Sequence, residues 1–310
     1  MKTNEIVEGG RFTPEFYLDS GSILVNQQLN SNGWPAGSMI HLYSSQEGSF
    51  KTSLALHGMI NAQDRGMRVG FVDAEKSLDV EWAKSMGLSD DPDLWVYSMP
   101  EDGETALQHT ETMIEDYGCK VVVLDSVDAS QPSKYHEEEY GDAVMMVHAK
   151  LMNKFARRIS GVLKNNQAIC FAINQMRTAG GNGMSYNKPS GGKGLPFYSA
   201  LNMEMRRNTS PSNLVGAMDI PLLFRIRRSK IGRSFRDIET IGRQGVGIDR
   251  SGELVQLALN VDFLQRAGSW YKGKKNEDGK RETVGQHIDL AREYVKEHEQ
   301  EILELANAQS

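Results

Sequence analysis

No apolar run in this 310-residue chain approaches the length needed to cross a bilayer, and residues 1–8 carry neither the basic nor the apolar segment of an export signal. A soluble, intracellular protein without a membrane partner is expected. Cysteine is almost absent: Cys119 and Cys170 stand alone, each in or beside an apolar, strand-like segment. Two scattered thiols exclude a disulfide framework and a thiolate metal cluster, and they suit a reducing compartment with both side chains in the core. Internal repeats, heptad runs and low-complexity tracts are missing too, which excludes solenoid and coiled-coil architectures. The length leaves room for one large domain and a small appendage.

Excess charge of one sign also looks absent, the net being only −6, until the charge is divided along the chain. Residues 141–281 hold 24 Lys and Arg against 10 Asp and Glu, and the remainder holds 11 against 31. A basic segment inside an acidic protein is the footprint of a polyanionic partner, and nucleic acid is favoured over a merely solvated surface.

The most telling scarcity is of glycine in the stretch Ile40-His-Leu-Tyr-Ser-Ser-Gln-Glu-Gly-Ser-Phe-Lys-Thr52. An apolar strand runs into a polar loop that ends in Lys51-Thr52, with a helix expected over 51–65. A phosphate loop of pattern G-x-x-x-x-G-K-[ST] would place glycine at Ser45 and Phe50, so the Lys-Thr pair is kept and both glycines are lost. In such a loop backbone N–H groups and a helix N-terminus cradle polyphosphate, a lysine neutralises it and a hydroxyl holds Mg²⁺. The candidate nucleotide-binding run is Ser45, Gln46, Glu47, Gly48, Ser49, Phe50, Lys51, Thr52 and Ser53, with Gly48, Ser49 and Ser44 left to make the bend.

Short apolar runs at 39–43, 69–73, 94–98, 121–125 and 168–174 read as strands, with helical periodicity between them. That alternation predicts an α/β protein with a mostly parallel central sheet flanked by helices. Ligands bind at the carboxyl ends of such strands, where Ser44, Asp73-Ala-Glu75, Asp125-Ser126 and Asn174-Gln175 fall. Residues 177–194, with six glycines and a proline, predict a mobile loop. Runs at 201–207, 222–229 and 236–241 alternate like antiparallel strands extending the sheet, and 245–252 reads as a turn region. Helical text resumes at Glu253, broken by a strand-like stretch at 269–274 and closed by an amphipathic helix over 283–306. The expected division is a short N-terminal segment (1–20), a core (21–260) and a small C-terminal α/β lobe (261–310).

Three strand ends carry chemistry. Asp125 closes an apolar strand, the arrangement that holds Mg²⁺ beside a nucleotide. Glu75 follows another and can orient and deprotonate a water. Gln175 offers an uncharged amide to a γ-phosphate and leads directly into the glycine-rich loop, which couples nucleotide to whatever that loop grips. Taken locally, each also reads more plainly, as a surface glutamate or an Asn-Gln pair capping a strand.

In their order these elements resemble the RecA recombinase family, from Leu18 to the C-terminal lobe. The resemblance rests on Phe71-Val-Asp-Ala-Glu-Lys-Ser-Leu-Asp79, Ile173-Asn-Gln-Met-Arg177, Gly191-Gly192 with Pro196-Phe-Tyr-Ser199, Ser229-Lys-Ile231, Gly252-Glu-Leu-Val255 and Ala267-Gly-Ser-Trp-Tyr271. The Ser49-Phe50-Lys51-Thr52 ending is closer to the phage UvsX branch, where an aromatic also precedes the lysine. A phage-encoded or similarly diverged recombinase, working in a bacterial or phage-infected cytoplasm, is expected.

The resemblance implies a RecA-type P-loop ATPase core, ATP and Mg²⁺ as cofactors, and a DNA-dependent ATPase. Such a protein forms helical filaments on single-stranded DNA and exchanges strands with homologous duplex, aided by a single-strand-binding protein and a loading mediator. It makes Lys51 and Thr52 the phosphate and Mg²⁺ residues, Glu75 the general base, Asp125 the metal-side carboxylate and Gln175 the γ-phosphate sensor. Asp79 and Trp82 fall at the adenine, Arg228 and Lys230 match cations that reach the neighbouring protomer's γ-phosphate, and Phe197 matches an interface residue. Two DNA loops are implied, 137–146 with Met145 as a wedge between bases, and 176–194 with Met176, Arg177, Gly191 and Gly192. Met146 is left to packing, while Lys150, Asn153 and Arg157 share a helix face toward the DNA backbone. In residues 11–17, Phe12 or Phe16 either anchors a neighbour or caps its own domain. Two other readings stay open: a RecA-fold mediator with little or no ATP hydrolysis, and a ring-forming helicase or RadA-like motor.

Overall fold

The computed structural model describes residues 12–29, 33–132, 142–181, 184–209, 219–276 and 278–308. Strands β1 (Tyr17–Leu18) and β2 (Trp34–Pro35) pair across helix α1 (Ile23–Gln28). The residues before them lie along the chain's own body: the Phe12 ring sits against Gly37, Phe16 joins the main core, and Gln167 accepts the Glu15 N–H at 2.9 Å.

Alternation of strand and helix then builds the sheet. Its first half is β3 (Ser38–Ser44), α2 (Lys51–Gln63), β4 (Val69–Asp73), α3 (Val80–Ser85), β5 (Trp95–Ser98), α4 (Gly103–Glu115) and β6 (Val121–Asp125). The long α5 (Asp142–Asn166) leads to β7 (Ile169–Gly181), β8 (Met184–Pro189), α6 (Gly194–Tyr198) and β9 (Leu201–Arg207). Strands β10 (Asp219–Ser229), β11 (Arg236–Arg243) and β12 (Gly247–Ile248) follow. The strand order is β12-β11-β10-β9-β3-β7-β6-β4-β5, parallel from β9 to β5 and antiparallel from β9 to β12. This is the mostly parallel sheet with an antiparallel extension that the sequence predicts.

The parallel strands are apolar on both faces because helices cover both. Val121 and Val123 share one core with Phe171 and with Leu54, Ala55 and Met59 of α2. Val122 and Leu124 point the other way, into a core with Cys170, Ala172 and residues of α4 and α5 such as Ile114, Phe155 and Ile159. Each fully buried Val, Leu, Ile, Phe or Met among them contributes about 1.5–3 kcal/mol. Both cysteines are buried as expected, and burial pushes the Cys119 thiol up to about 11 and that of Cys170 to about 12.

A third core joins α7 (Arg250–Asn260) to a small sheet of β13 (Gln265–Ala267), β14 (Trp270–Lys275) and β15 (Arg281–Gln286), and to α8 (Ile288–Glu297) and α9 (Glu299–Ala308). Arg292 of α8 ties this lobe to the main sheet, donating to Asp219 and Asp249 at 2.7 Å each. Three expectations are corrected. Within the loop expected over 177–194, residues 177–181 and 184–189 are strand: β7 runs on and pairs with β8 from Met176↔Pro189 to Gly181↔Met184, because even a glycine-rich backbone must satisfy its hydrogen bonds somewhere. Residues 283–286 are strand rather than helix, and the terminal helix breaks at His298 into two. Met146, assigned to packing, is 71% exposed because it lies off the buried face of α5 that carries Met152 and Phe155.

Candidate functional site

Register in the parallel sheet brings the chemistry to one edge. Ser44 pairs with Gln175 between β3 and β7, and Asp73 with Asp125 between β4 and β6, with Asp125 level with Ile173, so β3, β4 and β6 end within two residues of one level, beside Gln175 on the continuing β7. From Ser44 the chain enters a loop that leaves residues 45–48 exposed and Ser49 and Ser53 buried, and it turns into α2 at Lys51. Phe50 precedes the helix in the left-handed region, with φ +65°, and makes no side-chain cap.

Lys51 is half-buried behind this loop, its ammonium donating to the Ser49 hydroxyl at 3.1 Å. Burial pulls its pKa below the ordinary lysine value, against the attraction of Asp125, Glu75 and Glu47. The Thr52 hydroxyl donates to Asp125 at 2.8 Å, so the two expected metal residues are in contact. Burial pushes the Asp125 carboxyl up to about 7, with the Glu75 charge adding to the effect and the Thr52 hydrogen bond and Lys51 opposing it. A carboxylate short of positive charge beside a hydroxyl oxygen is the hard-oxygen donor set that suits Mg²⁺, which takes few protein ligands and completes its shell with phosphate and water.

Glu75 is exposed at the mouth of this cluster and receives two donors on one carboxylate oxygen, the Ser126 hydroxyl and the Gln175 amide, the latter at 3.0 Å. The structure thus joins the expected base directly to the expected sensor. Glu75 is placed from below by Asp73, whose buried carboxylate accepts from Ser77 and Leu78 N–H groups at 3.2 and 3.0 Å and from the Tyr97 hydroxyl at 2.8 Å. The N–H groups of Ala74 and Glu75 also donate to the Asp125 carbonyl. Sequence reasoning assigned no role to Ser126; its position directly after Asp125 is the signal that could have found it.

Arg207 was missed altogether. It ends β9, donates its N–H to the Gln46 side chain at 3.1 Å, and reaches the Gly48 carbonyl through Nε at 3.3 Å. Asp79 spends its carboxylate capping α3, accepting the Trp82 N–H at 2.9 Å, and the Trp82 indole is half-buried against the main core. Arg228 and Lys230 gather around Phe197, 5.4 and 5.8 Å from its ring centroid, and donate to the carbonyls of Pro196 (3.3 Å) and Phe197 (2.7 Å). Burial, then the charges of Arg228 and Lys164, hold the Lys230 pKa below its ordinary value. Arg228 is level with Asn202 and with His41 at the middle of β3, and Lys230 donates its N–H to the carbonyl of Ala200, whose own N–H meets Met39 at the start of that strand, so these cations lie toward the other end of the strands from the phosphate loop. Phe197 is 58% exposed there.

Of the DNA candidates, Lys150, Asn153 and Arg157 are exposed along one face of α5. Met176 and Arg177 lie on the extension of β7, and Arg177 forms a two-pronged ion pair with Asp128, at 2.8 and 2.7 Å. Gly191 (φ +77°) and Gly192 (φ +74°) lie against α5, where a Cβ would come within 2.9 Å of Met152 and of Ala149. Residues 137–141 and the side chain of Met145 lie outside the described residues. Among the described residues no helix is long and apolar enough to cross a membrane.

Comparison with known proteins agrees with this arrangement. A family model described as the RecA N-terminal domain matches residues 15–249. Protein RecA of Listeria monocytogenes serotype 4a (strain HCC23) is 35% identical over 284 residues, covering 91% of this chain and 78% of that protein. Protein RecA of Listeria ivanovii is 34% identical over the same span. A crystal structure of a KaiC-like protein from the archaeon Pyrococcus horikoshii OT3 matches with a TM-score of 0.56 over 76% of this chain and 98% of that one, at 16% identity, a likeness of fold alone. With relatives of that identity along nine-tenths of its length, and with a RecA-type α/β core, the chain belongs to the RecA family, whose members are DNA-dependent ATPases of homologous recombination.

Proposed function

We propose that this chain binds ATP with Mg²⁺ at the junction between adjacent copies, assembles as a helical filament on single-stranded DNA, and exchanges strands with homologous duplex. The observation that carries the reading is the division of cations along the strands of one sheet. Lys51 stands with Thr52, Asp125, Glu75 and Gln175 at the carboxyl ends of the parallel strands, and Arg228 and Lys230 stand back toward the other end, beside the exposed Phe197, a placement that suits service to a neighbour's nucleotide.

In this reading Lys51 neutralises the β- and γ-phosphates, and Thr52 and Asp125 would hold Mg²⁺, which would supply further charge neutralisation. Glu75 takes a proton from the attacking water, held in place by the Ser126 hydroxyl. Gln175 gives up its bond to Glu75 when a γ-phosphate offers a better acceptor, and the change passes along β7 into the hairpin that holds Met176 and Arg177. Asp79 and Trp82 flank the adenine, the indole by its face. Arg177, Lys150, Asn153, Arg157, Met145 and the Gly191-Gly192 turn contact single-stranded DNA without reading its sequence.

The aromatic before Lys51 supports a place in the UvsX branch and a phage-infected or bacterial cytoplasm as the setting. We assign residues 1–20 to a short N-terminal segment, 21–260 to the ATPase core and 261–310 to the C-terminal lobe. A single-strand-binding protein and a loading mediator are the expected accessory partners.

The test is DNA-stimulated phosphate release together with electron microscopy on single-stranded DNA and a non-hydrolysable ATP analogue. Wild type is expected to release phosphate and form filaments. Glu75→Gln should keep the filaments and lose at least about 100-fold in turnover, the usual contribution of a general base. Equal, negligible release from both proteins would instead support a non-hydrolysing mediator, and closed rings that unwind a fork would support a motor.

A further inference from the structure

The loop between β3 and α2 lacks the glycines that would let it take its shape freely, and two of its residues lie in the left-handed region, Gly48 at φ +61° and Phe50 at φ +65°. For a phenylalanine that conformation is strained and persists only if the surroundings impose it. Two contacts from the antiparallel extension do so. The Phe50 ring lies across Gly242 of β11, where a Cβ would come within 2.7 Å of the ring, so only glycine leaves it room. Arg207 closes the loop from the other side. Its N–H holds the Gln46 side chain, its Nε grips the Gly48 carbonyl at 3.3 Å, and its Nη2 stands 2.7 Å from where a Gly48 side chain would begin.

We propose that Arg207 is a positioning residue for the phosphate loop: by gripping the Gly48 carbonyl it imposes the anion-binding shape on a loop whose own sequence does not favour it. The geometry is that of parallel neighbours, since β9 lies beside β3 and its last residue arrives level with the loop that β3 feeds. A planar guanidinium suits the task, because one nitrogen can bond a carbonyl while the delocalised charge adds to the positive field that receives phosphate. The inference rests on the reading that this loop binds ATP.

The test is titration of the full chain with fluorescent ATP and ADP analogues, together with DNA-stimulated hydrolysis. It compares wild type, Arg207→Ala, Arg207→Lys, Phe50→Gly and the double variant Arg207→Ala/Phe50→Gly. Arg207→Ala is expected to weaken ATP and ADP alike by about tenfold, the loss of one charge-assisted hydrogen bond. KM should rise while kcat at saturation stays within about twofold, since the brace acts before chemistry. Arg207→Lys should restore little, and in the Phe50→Gly background the effect should shrink to less than about threefold because glycine relieves the strain.

Wild-type affinity in Arg207→Ala overturns the inference. So does full rescue by lysine, which would mean charge alone, and so does a loss confined to ATP, which would mean a direct γ-phosphate contact. Should Arg207→Ala melt early, Arg207→Lys carries the same comparison with the aliphatic stem preserved. Failure of wild type to bind either nucleotide is a different result: it removes the reading of the loop itself.

Discussion

Replacing Asp128 by asparagine should make this protein bind single-stranded DNA more tightly. Arg177 presents its Nε and Nη2 to the two oxygens of Asp128 at 2.8 and 2.7 Å, the same fork that a phosphate would occupy. If Arg177 is the DNA contact proposed above, DNA must displace a carboxylate that already fills its fork. The Asp128 side chain is 11% exposed but that of Arg177 is 64% exposed, so solvent screens the pair heavily and its worth is about 1 kcal/mol rather than the several expected of a buried pair. Asp128→Asn keeps the size of the side chain and removes the charge, so affinity should rise about fivefold, the equivalent of that energy.

Fluorescence anisotropy with a labelled oligothymidylate, saturated with a non-hydrolysable ATP analogue and repeated at several salt concentrations, reads the change. Arg177→Ala in the same assay should weaken binding and flatten the salt dependence by about 0.7 log units per log salt, the signature of one lost phosphate contact. If Asp128→Asn binds as wild type does while Arg177→Ala binds weakly, the two groups do not compete and the reasoning fails. If both variants are equally weak, the pair is a structural tie and not a reservoir of a DNA contact.

Glu253, fully buried, accepts from Ser22, Ile23 and Thr240, yet burial still raises its pKa from 4.5 to about 7. A raised native pKa means that the folded state holds a proton the unfolded state releases, so this stability is complete below pH 4.5 and is lost as pH climbs to about 7. Glu253→Gln never charges, so its deficit against wild type in urea unfolding should shrink by about 3 kcal/mol across that window, and a deficit constant with pH would count against the assignment. Gly191→Ala forces a side chain into φ +77° and within 2.9 Å of Met152, which should lower unfolding free energy by about 1–3 kcal/mol; an unchanged melting midpoint would show that the turn can shift away from α5.

The parallel half of the sheet was legible because burial on both faces leaves an unmistakable apolar text, as in Val121-Val-Val-Leu-Asp125, and because the rule that ligands gather at carboxyl ends of strands then places Ser44, Glu75, Asp125 and Gln175 together. Pairings that depend on distant partners were not legible. The hairpin of β7 and β8 is held by backbone hydrogen bonds that glycine-rich text does not advertise, and β15 is half-exposed and shows no apolar alternation. Arg207 lies 159 residues from the Gly48 carbonyl it grips, and only the neighbouring of β3 and β9 brings them together. Phe50 looked like damage to a motif until Gly242 came to lie beneath its ring. Met146 was misjudged because a methionine in a periodic helix reads as core, and the burial of its neighbour Met152 shows which face is taken.

The two ends of strand β10 reach different parts of the molecule. Leu222 packs near the Phe50–Gly242 contact beside the phosphate loop, while Ser229, seven residues on, leads to the cations around Phe197. At about 3.3 Å per residue the span is at most roughly 23 Å, carried by one hydrogen-bonded strand whose pairing with β9 shifts between Ile226 and Arg228. A copy stacked so that these cations meet the next triphosphate would read off its axial spacing from that strand, much as a ruler sets the rungs of a ladder. Lengthening or kinking β10 should then alter the pitch of the polymer before it alters the affinity of either end for its ligand.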